Sequence, residues 1–484
     1  MNTNYHHQYL LPILQGRGCG RVFLFLFLPL FISCSKELLQ DEDKGPLPRI
    51  TWVMSSGRFT IEAGETIQLV PDIENLDETS TYTWIIEDKV VGHDNYYTFT
   101  SEESGEYFVK LIVSNRYGKV EDEVKIIVVE KETVEYPVIP EHGGWKFPWT
   151  EINVALGRTI KVKAYMTGTE ISEIFTATEQ GSNTVTLKDE TSGCTQDFLI
   201  NVCPAEGTYR RPSTGKAMVN HVYEYMPAPG HQVNGYIIVG ESYPDNCTHQ
   251  QARDSVLAHF SRKWSVSLGG QGGYLIAGFD HSVPAGGAAY DLCIKGNPFS
   301  YQSEPGIIWV SQDNNGDGLP NDQWFELAGS EYGTENHWTE YAITYFRPEK
   351  PKSATGWRDS NNDTGYVPYL SYWNPKPYYW QPWVEGLEHT YFGSRLRDRS
   401  TYNNGISDIP PYDWGYADNL GDLIDGPAGK MGYYRISDAR TWDGQPANLE
   451  YIDFIKIQTA QTGSTPNLGE ISTEVYYISD YHLE

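Results

Sequence analysis

The feature that most constrains the fold is a rhythm of short runs alternating apolar and polar residues, interrupted about every ten residues by Gly, Pro, Asn or Asp. It is clear between Arg49 and Glu130 in FTIEAGETIQLVPDI, TYTWIIEDKVVG, YYTFT and GEYFVKLIVSNRYGKVEDEVKIIVVE. It returns at Tyr274 to Phe279, Ala289 to Ile294 and Gly306 to Val310. A period of two gives each strand one buried and one exposed face, so such runs must stack as sheets. At 484 residues the chain is too long for one sandwich. The expected fold is all-β, with two immunoglobulin-like sandwiches followed by a larger jelly-roll-like β-sandwich.

The boundaries follow from composition. Residues 1–33 read as a leader: Arg17 and Arg21 precede VFLFLFLPLFIS, which is too short to span a bilayer but suits a signal-peptide core. Ser33 before Cys34 resembles the lipobox of bacterial lipoproteins, which implies a lipid on Cys34 and a membrane-anchored protein. Residues 34–48 hold SKELLQDEDKGPLP, an acidic tether that cannot pack a core. Acids so near the lipid resemble the surface-export signals of Bacteroidota lipoproteins, which implies the outer face of the outer membrane; a lipoprotein facing the periplasm is the alternative. Residues 49–130 form the first module, 134–204 the second, and 207–484 one large domain with no low-complexity break.

In the first module Trp84 is the expected buried aromatic, and Tyr107 stands where sandwich folds hold a corner tyrosine. The stretch resembles PKD-like immunoglobulin-type modules of bacterial surface proteins, which act as spacers or adhesion units. The second module follows a linker with Pro137 and Pro140, and its Trp145, Phe147 and Trp149 form either a contact patch or packing between modules. On one straight strand Cys194 and Cys203 lie on opposite faces, too far apart to bridge. Cys247 and Cys293 either pair or remain buried thiols.

In the large domain, YRISDA (Arg435 to Ala439) and Tyr451 to Thr459 are expected to neighbour each other. The set GGYLIAGFDHSV, DLCIKGNPF, EPGIIWVSQDNNGDGLPNDQWFELAGSEY, YDWGYADN and ANLEYIDFIKIQT resembles the C-terminal domain of a family of Bacteroidota cell-surface lipoproteins. That resemblance implies a neighbouring TonB-dependent transporter, in some cases one serving cobalamin uptake, and it carries over no catalytic residue. Tyr366, Tyr369, Tyr372, Trp373, Tyr378, Tyr379, Trp380 and Trp383 crowd a stretch that also holds Pro368, Pro375, Pro377 and Pro382. Proline at that density makes a stiff loop, whose rings either stack on a glycan or cobamide or pack as a small core of their own.

A net charge of −28 excludes nucleic acid as a partner. The chain has no HExxH, GxSxG, Walker or dinucleotide motif, and among 64 acids Glu304, Glu326 and Asp413 do not mark a glycosidase pair. The reading is a non-catalytic protein that captures a ligand for uptake; a glycoside hydrolase and a structural adhesion protein are the alternatives.

The third strand-like run of the large domain leads into DNNGDGLPND. Asp313, Asn315 and Asp317 alternate as oxygen ligands, Gly318 gives the turn, Leu319 offers its carbonyl, and Asn321 or Asp322 completes a calcium shell. Trp324 stands where an EF-hand requires glutamate, so the expectation is a structural calcium loop in a sandwich. The alternative is a metal-free turn built from the same residues.

Overall fold

The computed structural model describes residues 45–52, 58–130, 135–141, 150–166, 169–205, 207–211, 215–233, 247–299, 301–370, 379–403, 406–422, 431–465 and 469–484. The leader, Cys34, Trp145, Phe147, Trp149, Tyr372, Trp373 and Tyr378 lie outside them. The described chain is almost wholly β.

The first module is a five-stranded sheet in the order Arg58–Glu62, Gly118–Val129, Gly105–Asn115, Thr81–Ile86, Lys89–Gly92, closed by the pair Thr66–Leu69 and Tyr97–Thr100. Its core centres on fully buried Trp84 with Ile67, Leu111 and Ile126. The Tyr107 hydroxyl donates to Glu103 O at 2.9 Å, four residues upstream, as a corner tyrosine does.

In the second module Glu151–Ala155, Thr195–Cys203 and Gly181–Lys188 form one sheet, and the hairpin Thr159–Met166 and Thr169–Thr176 forms the other. Phe198, Ile200, Val162 and Val154 fill the space between. The linker before this module is not a free tether. Ala354 N donates to Glu135 O at 3.0 Å, and the Tyr366 hydroxyl donates to Pro137 O at 2.9 Å, so the linker runs along the large domain.

The large domain is built on a six-stranded sheet in the order His221–Met226, Tyr274–Pro284, Tyr451–Thr459, Gly306–Ser311, Trp324–Leu327, Ala439–Arg440. A three-stranded sheet of Met431–Tyr434, Leu292–Lys295 and Tyr477–Asp480 packs on it over the main core. Tyr451–Thr459 lies between Tyr274–Pro284 and Gly306–Ser311, so the expected pairing with the Arg435 to Ala439 run does not occur. Most of that run is a 3-10 turn, Ile436–Asp438, and only Ala439–Arg440 joins the sheet, at its far edge.

A four-stranded sheet, Thr364–Val367, Thr355–Asp359, His337–Phe346 and Glu388–Leu396, completes the domain. The single α-helix among the described residues, His249–Arg262, was not apparent in the β rhythm. It starts at a capping box of Thr248 and Gln251, and buries Ala252, Val256 and Phe260 at four-residue spacing. No disulfide joins Cys247 to Cys293. Each thiol is buried against its own oxygen, Thr248 O and Glu484 Oε2, at 3.5 Å.

Candidate ligand-binding site

One face of the six-stranded sheet packs on the main core, and alternation sends the intervening side chains to the other face. Ile455 and Ile457 are core, so Lys456 points away from it. The same holds for Ile276 between Leu275 and Ala277, Trp309 between Ile308 and Val310, and Glu326 between Phe325 and Leu327. The strand register then sets these residues side by side. Glu224 pairs with Ile276, Ile276 with Lys456, Lys456 with Trp309, Trp309 with Glu326, and Glu326 with Arg440. One rung across all six strands therefore reads Glu, Ile, Lys, Trp, Glu, Arg.

This rung is the floor of a cavity of about 480 Å³. Ile160, Val162 and Phe198 of the second module line it from above, and Phe392, Tyr332 and Trp442 of the large domain line its sides. Three contacts hold the roof in place. Asn153 N donates to Asn321 O and Gln323 N to Asn153 O, both at 3.0 Å, extending a strand of the module onto the loop before Trp324. Lys161 and Lys163 both reach Glu340 Oε2, at 3.1 and 3.2 Å. The Arg158 guanidinium donates to Ala447 O and lies 5.5 Å from the Phe325 ring.

The floor is electrostatically organised. Glu326 is buried and accepts from Ser394 Oγ at 2.5 Å, with His337 Nε2 2.7 Å from its other oxygen, so its position is fixed from two sides. Lys456 is 3% exposed. Its Nζ donates to Phe392 O at 3.3 Å and lies 4.8 Å from the Tyr274 ring and 5.5 Å from that of Trp309. Burial pulls its amine down to about 7, against the attraction of Glu326. Burial also raises the Glu224 carboxyl, which Arg253 partly counters. Apolar walls with a few anchored polar groups are what a small-molecule site requires.

The aromatic loop is arranged differently from a display of rings. Tyr369, Tyr379 and Trp380 are buried with Tyr341, Tyr345 and Val384 in a small core. Tyr369 and Tyr379 stack at 4.9 Å, and the Tyr379 hydroxyl accepts from Leu370 N at 2.5 Å. Tyr366 is spent on the linker, and Trp383 stacks on His249 at 5.9 Å. The described rings thus serve packing, the cheaper place for large apolar faces.

The Asp313 to Asp322 loop borders the cavity through Leu319, Asn321 and Asp322. Asp313 accepts from Gly316 N and Gly318 N at 2.8 and 3.0 Å. Asp317 accepts from Leu319 N at 2.8 Å and from the side chains of Asn315 and Asn321 at 2.7 and 3.0 Å. Gly316 and Gly318 take φ of 76° and 74°, which a β-carbon would oppose. Asp322 Oδ1 accepts from Asn314 N, while Asp322 Oδ2 and Asn314 Oδ1 are buried with no hydrogen-bond partner among the described residues. Burial, then nearby Asp313 and Asp317, push the Asp322 carboxyl up to about 8. Among the described residues, the only three acidic, His or Cys side chains with ligand atoms mutually within 4.8 Å are Glu304, Asp418 and Glu474, elsewhere in the domain.

Residues 47–115 match the family model of a PKD-like domain. No curated protein matches the chain. Among solved structures, a quinonprotein alcohol dehydrogenase-like protein from Bacteroides thetaiotaomicron aligns at 14% identity over 33% of this chain and 42% of its own, with a TM-score of 0.16. Fibronectin(III)-like modules of Clostridium thermocellum CbhA align at 13% identity over 34% of this chain and 100% of theirs, TM-score 0.16. The PKD domain of human KIAA0319 aligns at 18% identity over 17% of this chain and 89% of its own, TM-score 0.13. The chain spans less than half of the first of these, and at such TM-scores the likenesses carry no weight for function. Among the described residues no helix is long and apolar enough to cross a membrane.

Proposed function

We propose that this protein is a lipid-anchored surface protein that captures a small glycan in the cavity between its second module and its large domain, without chemically processing it, for delivery to a TonB-dependent transporter. The observation that carries the reading is the six-residue rung under an immunoglobulin-like roof. Trp309, Trp442 and Tyr332 offer flat apolar faces for sugar rings, and Glu224, Glu326 and Arg440 offer charged hydrogen-bonding groups between them. A volume of about 480 Å³ suits a ligand of one or two rings and is small for a cobamide, which carries a nucleotide loop on its corrin. The Cys34 anchor, the acidic tether and the PKD-like match support a place on the outer membrane, outward-facing, with that match also compatible with an adhesion role.

The test is a glycan and cobamide panel read by tryptophan fluorescence. A glycan should quench the wild-type signal, and Trp309→Ala should weaken its binding about tenfold or more while the melting temperature stays within a few degrees. Quenching by a cobamide alone, or equal affinity in the variant, would overturn the glycan reading.

Calcium belongs to the same proposal. The buried oxygens Asp322 Oδ2 and Asn314 Oδ1 are acceptors suited to a hard cation, and Asp313, Asn315, Asp317, Leu319 and Asn321 surround them in sequence. A cation bound to these oxygens stabilises only the folded chain, so the melting temperature should rise with free calcium. A melting temperature identical in chelator and millimolar calcium at about pH 8 would leave the loop as a hydrogen-bonded turn.

A further inference from the structure

We infer that Lys456 captures carbonyl-bearing ligands covalently, its Nζ condensing with an aldehyde or ketone carbon at the cavity floor to form an imine. The inference rests on the cavity being the ligand site. Three placements lead to it. Lys456 sits at the middle of the rung, on the central strand Tyr451–Thr459, where both flanking strands hold it rigidly. The rings of Tyr274 and Trp309 lie beside its nitrogen, with Ile276 and Phe392 completing an apolar surround. The carboxylate that attracts Lys456, that of Glu326, stands two strands away, and its pull toward the ammonium form is weaker than the burial that opposes it.

Burial leaves much of this amine unprotonated near neutral pH, whereas a solvent-exposed lysine is almost entirely ammonium there. The step balances without any other reactant. The nitrogen lone pair forms a bond to the carbonyl carbon, the carbon–oxygen π pair moves to oxygen, and that oxygen takes one N–H proton. The resulting hydroxyl leaves as water with the second N–H proton, giving C=N. Exclusion of water by the apolar surround favours the imine, because water is the product released. For a glycan the reacting form is the open-chain aldehyde of the reducing end.

The experiment incubates the full chain with glycolaldehyde at about pH 7.5, reduces with cyanoborohydride and maps modified peptides by mass spectrometry. Lys456 should be labelled about tenfold faster or more than the mean of the other lysines, and Lys456→Arg should lose that label while retaining its melting temperature. Lys456→Met serves if the arginine does not fit. Label spread over exposed lysines with Lys456 unmodified overturns the inference. In parallel, the best-binding oligosaccharide of the panel is compared with its alditol, which has no carbonyl. Alditol bound in the cavity without any Lys456 adduct from the parent sugar removes the imine step and keeps the capture reading. A Lys456 adduct from glycolaldehyde with no glycan bound keeps the imine and removes the glycan.

Discussion

Glu304 illustrates how a single carboxyl registers the burial around it. It accepts from Ser472 N at 3.0 Å and neighbours Asp418 and Glu474, and burial followed by the charge of Asp418 lifts it from 4.5 to about 8. The folded chain therefore holds a proton there that the unfolded chain releases, so this group makes stability fall as pH rises from about 4.5 to about 8. Glu304→Gln should flatten that fall in melting temperature measured across the interval; an unchanged slope would mean that the proton is held elsewhere. Single residues were legible in the sequence where their role is local. Trp84 and Tyr107 could be placed because a core strand and a corner turn are each contained in a few residues. Lys456 could not: in FIKIQT it reads as the wet side of a half-buried strand, and only the second module, some three hundred residues upstream, makes that side dry.

At the scale of elements, alternation gave the sandwiches but not the partners of each strand, since period two is indifferent to which neighbour a strand finds. Hence the displaced Arg435 to Ala439 run. The helix was hidden differently: its fully buried apolar residues are only Ala252, Val256 and Phe260, although Thr248 and Gln251 mark its start. Thr248→Ala should cost about 1 kcal/mol, read as a lower urea midpoint. The aromatic loop had an open choice between display and packing, and its described half packs. Tyr379→Ala should accordingly destabilise by about 3 kcal/mol or more, through the lost ring and the unpaired Leu370 N–H. A change below about 0.5 kcal/mol would mean the ring is not part of a core.

For the whole molecule, the site belongs to neither module alone. Glu340→Ala removes the large-domain partner of Lys161 and Lys163, leaving them Glu170 of their own module, and should loosen the roof, lowering ligand affinity about tenfold while the large domain melts nearly unchanged. Deleting residues 47–130 should leave affinity unaltered, because no described residue of the first module lines the cavity. Loss of binding in that deletion would place part of the site in the PKD-like module.

The central strand of the six-stranded sheet, Tyr451–Thr459, comes from near the end of the chain, while its neighbours Tyr274–Pro284 and Gly306–Ser311 emerge far earlier. A polypeptide made amino end first completes both small sandwiches while the large sheet still has a gap at its middle. For that interval two inner strand edges are unpaired, the arrangement most prone to wrong pairing. Closure of the large sheet therefore waits on one of the last strands to be made, and its inner edges stay open while residues 312–450 are synthesised.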